Sequence, residues 1–311
     1  FDSILAVGIS YLGCIVGFAT AMLNPFTVGI AQSIAGIQLY SGVEFRTLVW
    51  FVSTLVGCGF VMFYAMKIKK NPELSPMFEH DQVKREKLKS TESEHTEFTL
   101  RHKIIIAALF TSIALVVYGV LKLEFWIPQI AAVFLGLGII SGLVGKLAPN
   151  EIAEAFTDGA KDMIGAAIMI GLAKSVMIIA QNANIIDTIL FNLANVVGQL
   201  PSLIASYIMF VIQMFINFFV SSGSGQAALT MPILAPLGDL VGISRQLSVL
   251  IYQLGDGFSN AMFPTSGVLI ACLGMAGVPY GKWLKWILPL QAILFMTAIV
   301  FITIASLIGW A

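Results

Sequence analysis

Long apolar runs, punctuated by short clusters of Gly, Pro, Ser and Asn, organise this chain. Residues 1–37 are apolar apart from an interruption at Asn24-Pro25, and residues 47–66 form a second run ending in Lys67, Lys69 and Lys70. After a hydrophilic stretch, Ile104–Val120 and Ile127–Leu147 predict a helical hairpin whose turn carries Trp126, a residue suited to a membrane interface. Residues 150–162 alternate charge and apolarity at helical spacing, which predicts a surface helix, followed by a span from Ile164 to about Ala180. Residues 184–199 are short and amphipathic and fit either an interfacial or a tilted crossing segment. Two apolar arms over 205–241 flank Ser-Ser-Gly-Ser-Gly-Gln (221–226), the pattern of a re-entrant hairpin. Gly223, Gly225 and the later Pro232 predict that its tip is unwound from Ser221 to Gln226. Residues 245–277 predict a broken span, because Asp256, Asn260, Pro264, Thr265 and Ser266 interrupt it, and 287–308 predict a last crossing.

With 58% hydrophobic and 11% charged residues and a mean hydropathy of +0.91, the chain reads as an all-α polytopic membrane protein. Its net charge of +0 gives no field that would attract nucleic acid. Nine of the 17 Lys and Arg residues fall between Lys67 and Lys103, so the positive-inside rule places 67–103 in the cytoplasm as a solvated connector and the C-terminus outside. Cys14, Cys58 and Cys272 lie far apart without Cys-x-x-Cys spacing, which indicates neither a disulfide framework nor a zinc site.

An internal echo links the two ends. Gly17-Phe18-Ala19-Thr20-Ala21-Met22 resembles Gly257-Phe258-Ser259-Asn260-Ala261-Met262, and each copy precedes a proline, Pro25 or Pro264. Opposite predicted directions for the copies imply an inverted repeat, the plan of secondary transporters with broken transmembrane helices. Residues 1–66 then end a first repeat and 104–311 hold the second.

The run Ser222 to Gly242, with Gly-Asp-Gly-Phe-Ser (255–259) and Asn-Pro-Phe (24–26), resembles the YfcC branch of the C4-dicarboxylate anaerobic carrier family, within the ion-transporter superfamily. The resemblance implies a secondary active transporter in a bacterial-type plasma (inner) membrane, with earlier spans and a first hairpin upstream of Phe1. It also implies a basic amino acid antiporter of the arginine/ornithine type, with a C4-dicarboxylate or other carboxylate carrier as the alternative; a channel, which would also use broken helices, is a remote alternative because no repeated filter motif appears. Ser222-Gly223-Ser224 occupies the place of the superfamily's Ser-Asn-Thr-type motif, with Gly for Asn, so coupling to Na+ or H+ stays open.

The candidate substrate or ion site comprises Ser222, Gly223, Ser224, Gly225 and Gln226 at the hairpin tip, Asp256, Asn260, Pro264, Thr265 and Ser266 on the broken span, and Asn24 and Pro25 at the first break. The tip offers hydroxyls, an amide and the positive end of a helix starting near Ala227 to a carboxylate; alternatively its small residues serve close packing. Asp256 needs a cationic substrate, a coupling ion, or a structural partner such as Lys174. The expected partners are a small carboxylate-bearing molecule, the lipid bilayer and optionally a second copy in a homodimer; no cofactor is expected. An enzyme is disfavoured: neither Leu-Gly-Asp sequence has the preceding Gly of intramembrane aspartyl proteases, and His80, His95 and His102 lie in or beside the basic stretch, away from any candidate Ser nucleophile.

Overall fold

The computed structural model describes residues 1–310 apart from 92–97, 124, 126, 184, 186, 187, 189–191 and 193–196. It also omits some helical side chains, most of them at 84–91 and 162–181, so the predictions made for His95, Trp126 and the Lys174 side chain, and for most of 184–199, lie outside the described residues.

The described residues form helices without strands. Two units are distinguished, one of residues 1–82 and 163–311, the other of residues 83–162. The smaller contains two mutually packed helices, α5 (Leu100–Lys122) and α6 (Ile127–Gly145). Residues 149–182 form one continuous helix, α7 (Pro149–Asn182), rather than a surface helix followed by a separate span. No proline divides the two sequence patterns, and Gly159 and Gly165 are carried within the helix, so the ladder of backbone bonds runs through.

The larger unit begins with α1 (Ser3–Ala19), apolar throughout and containing a wider π-type stretch at Gly8–Leu12. Asp2 starts it by accepting the Leu5 N–H at 2.8 Å. After a break at residues 20–24, α2 runs from Pro25–Gly29 into Ile30–Ala35. Asn24 caps α2 through the Phe26 N–H at 2.9 Å, Pro25 takes the first helical position, and Gly36, at φ 68°, ends it. The chain returns as α3 (Val43–Lys70), continues through a short turn and enters α4 (Phe78–Thr91). The hairpin is α8 (Ser202–Phe219) and α9 (Gly223–Leu240); the second broken helix is α10 (Arg245–Ser259) and α11 (Gly267–Ala276); α12 (Tyr280–Leu307) follows. Among the described residues four helices are long and apolar enough to cross a membrane: Val43–Lys70, Pro128–Gly145, Ser202–Phe219 and Tyr280–Leu307.

Side-chain bonds fix the direction of each repeat. Asp2, at the start of α1, accepts from Tyr64 and Ser75 at 2.5 Å each, near the lysine-bearing end of α3. Arg245, at the start of α10, donates to the Ala35 carbonyl at 2.6 Å, and neighbouring Gln246 bonds Ser41, near the opposite end of α3. The broken helices therefore start from opposite ends. Lys282, at the start of α12, reaches the Pro76 carbonyl at 2.7 Å, and Ser244 bonds the Trp310 carbonyl at 2.5 Å beyond its end, so α12 opposes α3. Each repeat is a broken helix followed by a long returning one, inverted relative to the other.

Two local expectations need correction. The hairpin unwinds only at Val220–Ser222; α9 already includes Gly223, Gly225, Pro232 and Pro236. Ser222 caps it by accepting the Gly225 N–H at 3.4 Å, and Pro232 and Pro236 lie on the helix's exposed face, where a membrane helix tolerates proline by local adjustment of its backbone bonds. The first part of the basic connector is not a loose solvated strand. Ser75, Met77 and Asp81 are buried, and Asp81 accepts from both the backbone and the hydroxyl of Ser3, so residues 71–82 strap the beginning of α1.

Candidate functional site

The hairpin tip meets both broken helices at Gly223. A side chain there would meet Phe18 Cζ at 2.8 Å, Thr27 Cγ2 at 2.8 Å and Asp256 Oδ2 at 3.3 Å, one from each side of the first break and one from α10. This crowding explains why Gly stands at 223. Tyr252, one turn before Asp256, fixes the arrangement by donating to the Gly223 carbonyl at 2.6 Å.

Asp256 has no exposed surface, and neither carboxylate oxygen has a hydrogen-bond partner among the described residues. Its backbone carbonyl is well served, by the side-chain amides of Asn217 and Asn260 at 2.9 Å each. The carboxylate lies beside the first turn of α9, whose leading N–H groups have no intrahelical acceptor and carry partial positive charge. Other buried oxygens in these elements are also unpartnered: Thr27 Oγ1, Asn217 Oδ1, Gln226 Oε1 and Thr265 Oγ1. Among the described residues no group of three His, Cys, Asp or Glu could hold a metal ion.

The expected site residues do not all converge. Gly223 and Asp256 lie together, with half-buried Ser224 next along α9 and Ser222 and Gly225 on its exposed side. Gln226 turns away, donating to the carbonyl and side-chain oxygen of Gln213 at 2.8 and 2.9 Å, and so joins the hairpin arms. Ser266 faces the Tyr11 hydroxyl at 3.2 Å, and Pro264 is half-buried in the second break. Asn24 and exposed Pro25 shape the start of α2, while Thr27, two residues later, reaches the junction.

The second break shows how unwound backbone is satisfied within a membrane. The carbonyls of Phe258, Asn260, Ala261, Met262 and Thr265 receive Gln291 Nε2, Tyr11 Oη, Trp283 Nε1, Tyr280 Oη and Ser221 Oγ, at 2.6 to 2.9 Å. At the first break the Ala21 carbonyl is the one that receives a side-chain donor among the described residues, Gln253 Nε2 at 2.7 Å, while the Thr47 hydroxyl reaches the Met22 sulfur at 2.9 Å.

Sequence reasoning passed over Thr27, Gln253 and Arg46. Arg46 is 1% exposed, donates to Gln253 at 2.6 Å and lies 5.4 Å from the Trp310 ring centroid, with no carboxylate paired to it among the described residues. The signal that could have found this ladder is the spacing Gln246, Gln253, Asp256, Asn260, which places polar side chains along one stripe of α10.

Discontinuous helices in inverted repeats, meeting a re-entrant tip around a buried carboxylate, define a multi-pass membrane protein of the secondary-transporter fold class. The chain belongs to the C4-dicarboxylate anaerobic carrier family, whose profile matches residues 1–307. A relative from Escherichia coli (strain K12), named "Putative basic amino acid antiporter YfcC", is 40% identical over 321 residues, 100% of this chain and 63% of the relative. An uncharacterized protein from Haemophilus influenzae is 33% identical over 298 residues, 95% of this chain and 58% of that protein. The chain thus spans 58% to 63% of the length of these curated relatives. The solved structure of the Alcanivorax borkumensis YdaH transporter is similar at a TM-score of 0.48 and 16% identity, over 99% of this chain and 70% of that one.

Proposed function

We propose that the full-length protein is a secondary active transporter, not an enzyme, that exchanges basic amino acids by alternating access. The observation carrying this reading is Asp256, a fully buried carboxylate with both oxygens unpartnered beside the hairpin tip. Burial of an unpaired charge is costly, so the carboxylate calls for a proton or a cation. A guanidinium or ammonium side chain supplies that cation, while the first-turn N–H groups of α9 suit the substrate's α-carboxylate. The printed name of the Escherichia coli relative agrees with this substrate class.

Arg46 favours a second reading. Its buried guanidinium has amide partners but no carboxylate among the described residues, as a site for a dicarboxylate would require. Counterflow into proteoliposomes loaded with arginine, with labelled arginine, ornithine and succinate offered outside, separates the two. Uptake of the cationic amino acids but not succinate is expected; exchange of succinate alone would make the dicarboxylate reading the leading one.

A further inference from the structure

A cavity of about 620 Å³ lies between the lysine-bearing ends of α3 and α12, apart from the Asp256 junction. Its wall is apolar and aromatic, made by Phe60, Phe63, Tyr64, Trp286 and Pro289. Three lysines line it as well, Lys67, Lys282 and Lys285, and no Asp or Glu does. None of the three is in an ion pair among the described residues; Lys282 donates to the Pro76 carbonyl at 2.7 Å, while Lys67 and Lys285 are exposed.

Trp286 anchors that wall. Trp286 is 8% exposed, and its indole Nε1 has no hydrogen-bond partner among the described residues. The ring is fixed by edge contacts with Phe60 and Tyr64, at centroid distances of 5.1 and 5.2 Å, and packs closely over Gly8. These contacts hold the ring in the wall as a fixed apolar surface. Phe63, 66% exposed, continues the apolar wall along the outer surface of α3.

We propose that this cavity binds one anionic phospholipid, with its phosphate among the lysines and an acyl chain along the aromatic wall. Three unpaired cations at one end of an apolar groove match an amphiphile that is anionic at its head and apolar in its tail. A soluble anion would leave the aromatic wall unused, and a neutral lipid would leave the lysines unneutralised. The site is independent of the transported substrate.

Native mass spectrometry of the full-length protein, equilibrated in detergent with equal amounts of dioleoylphosphatidylglycerol and dioleoylphosphatidylcholine, tests this. The anionic lipid should be retained over the neutral one by about a hundredfold, about fivefold for each of three lysines, and the Lys67→Gln/Lys285→Gln variant should keep only about fivefold. Lys67→Arg/Lys285→Arg should keep the preference, and Lys282, which holds Pro76, is left intact. Equal retention of the two lipids by the unmodified protein, or undiminished preference in the glutamine variant, would overturn the proposal. So would displacement of the lipid by millimolar inorganic phosphate, which would make this a site for a soluble anion.

Discussion

Gly257 lies directly against Ala19, so close that a methyl group on Gly257 would overlap the backbone of the first broken helix. The repeats thus touch main chain to main chain, as small residues permit within membranes. Their echo partner behaves differently, since a side chain at Gly17 meets nothing within 4 Å. Gly257→Ala should destabilise the fold by about 1–3 kcal/mol through overpacking, whereas Gly17→Ala should be neutral or slightly stabilising. Thermal unfolding of both variants in detergent checks this; equal midpoints would show that the crossing is looser than described.

Asp256→Asn keeps the shape of the side chain and removes its charge. Exchange of a cationic substrate should fall by about ten- to a hundredfold, the loss expected when a charged hydrogen-bond partner is removed. Folded yield should hold or rise, because an unpartnered buried charge disappears. A variant that fails to fold while transporting normally per folded molecule would assign Asp256 to the scaffold instead.

Tyr252 joins α10 to the hairpin tip through a single 2.6 Å bond to Gly223. Tyr252→Phe retains the ring and should cost about 1 kcal/mol in positioning the tip. An apparent substrate affinity weakened by about fivefold, with little change in turnover, is the expected kinetic signature. An unchanged KM would mean that the tip is held by packing alone.

The strap gives a sharp labelling contrast within four residues. Leu74 is 52% exposed and Met77 is 0% exposed. In a full-length protein otherwise lacking reactive thiols, an impermeant maleimide should modify Leu74→Cys from the cytoplasmic side and leave Met77→Cys largely unreacted. Rapid labelling of both would mean that the strap is open in solution; labelling only from outside would reverse the assigned orientation.

The breaks and the hairpin turn were legible in sequence because Asn24-Pro25, the capping Ser222 and Phe-Pro-Thr-Ser act on backbone within a few residues, although the glycines after Ser222 proved helical. Partnerships across the chain were not. Gln226 has the same composition signal whether it faces a ligand or Gln213, and only the folded hairpin decides between them. Arg46 stands at the edge of its apolar run, where a cation ordinarily snorkels to water, yet Trp310, remote in sequence, covers it. Thr27 carries no breaker signal of its own: the helix started at Pro25 leaves Phe26 exposed and turns Thr27 inward, a choice that only the folded helix makes.

The two breaks differ in mechanical character. The second is pinned at five carbonyls by side chains from α1, α12 and the hairpin turn, which at roughly 0.6 kcal/mol apiece amounts to about 3 kcal/mol of resistance to bending. Among the described residues the first has one carbonyl held this way, Ala21, beside a weaker Thr47 hydroxyl contact to the Met22 sulfur at 2.9 Å. A load applied across both would be taken up as deformation at residues 20–24, while residues 260–266 stay put as the fulcrum. The near-twofold sequence echo therefore conceals a division of labour, one stiff joint and one compliant joint built on the same plan.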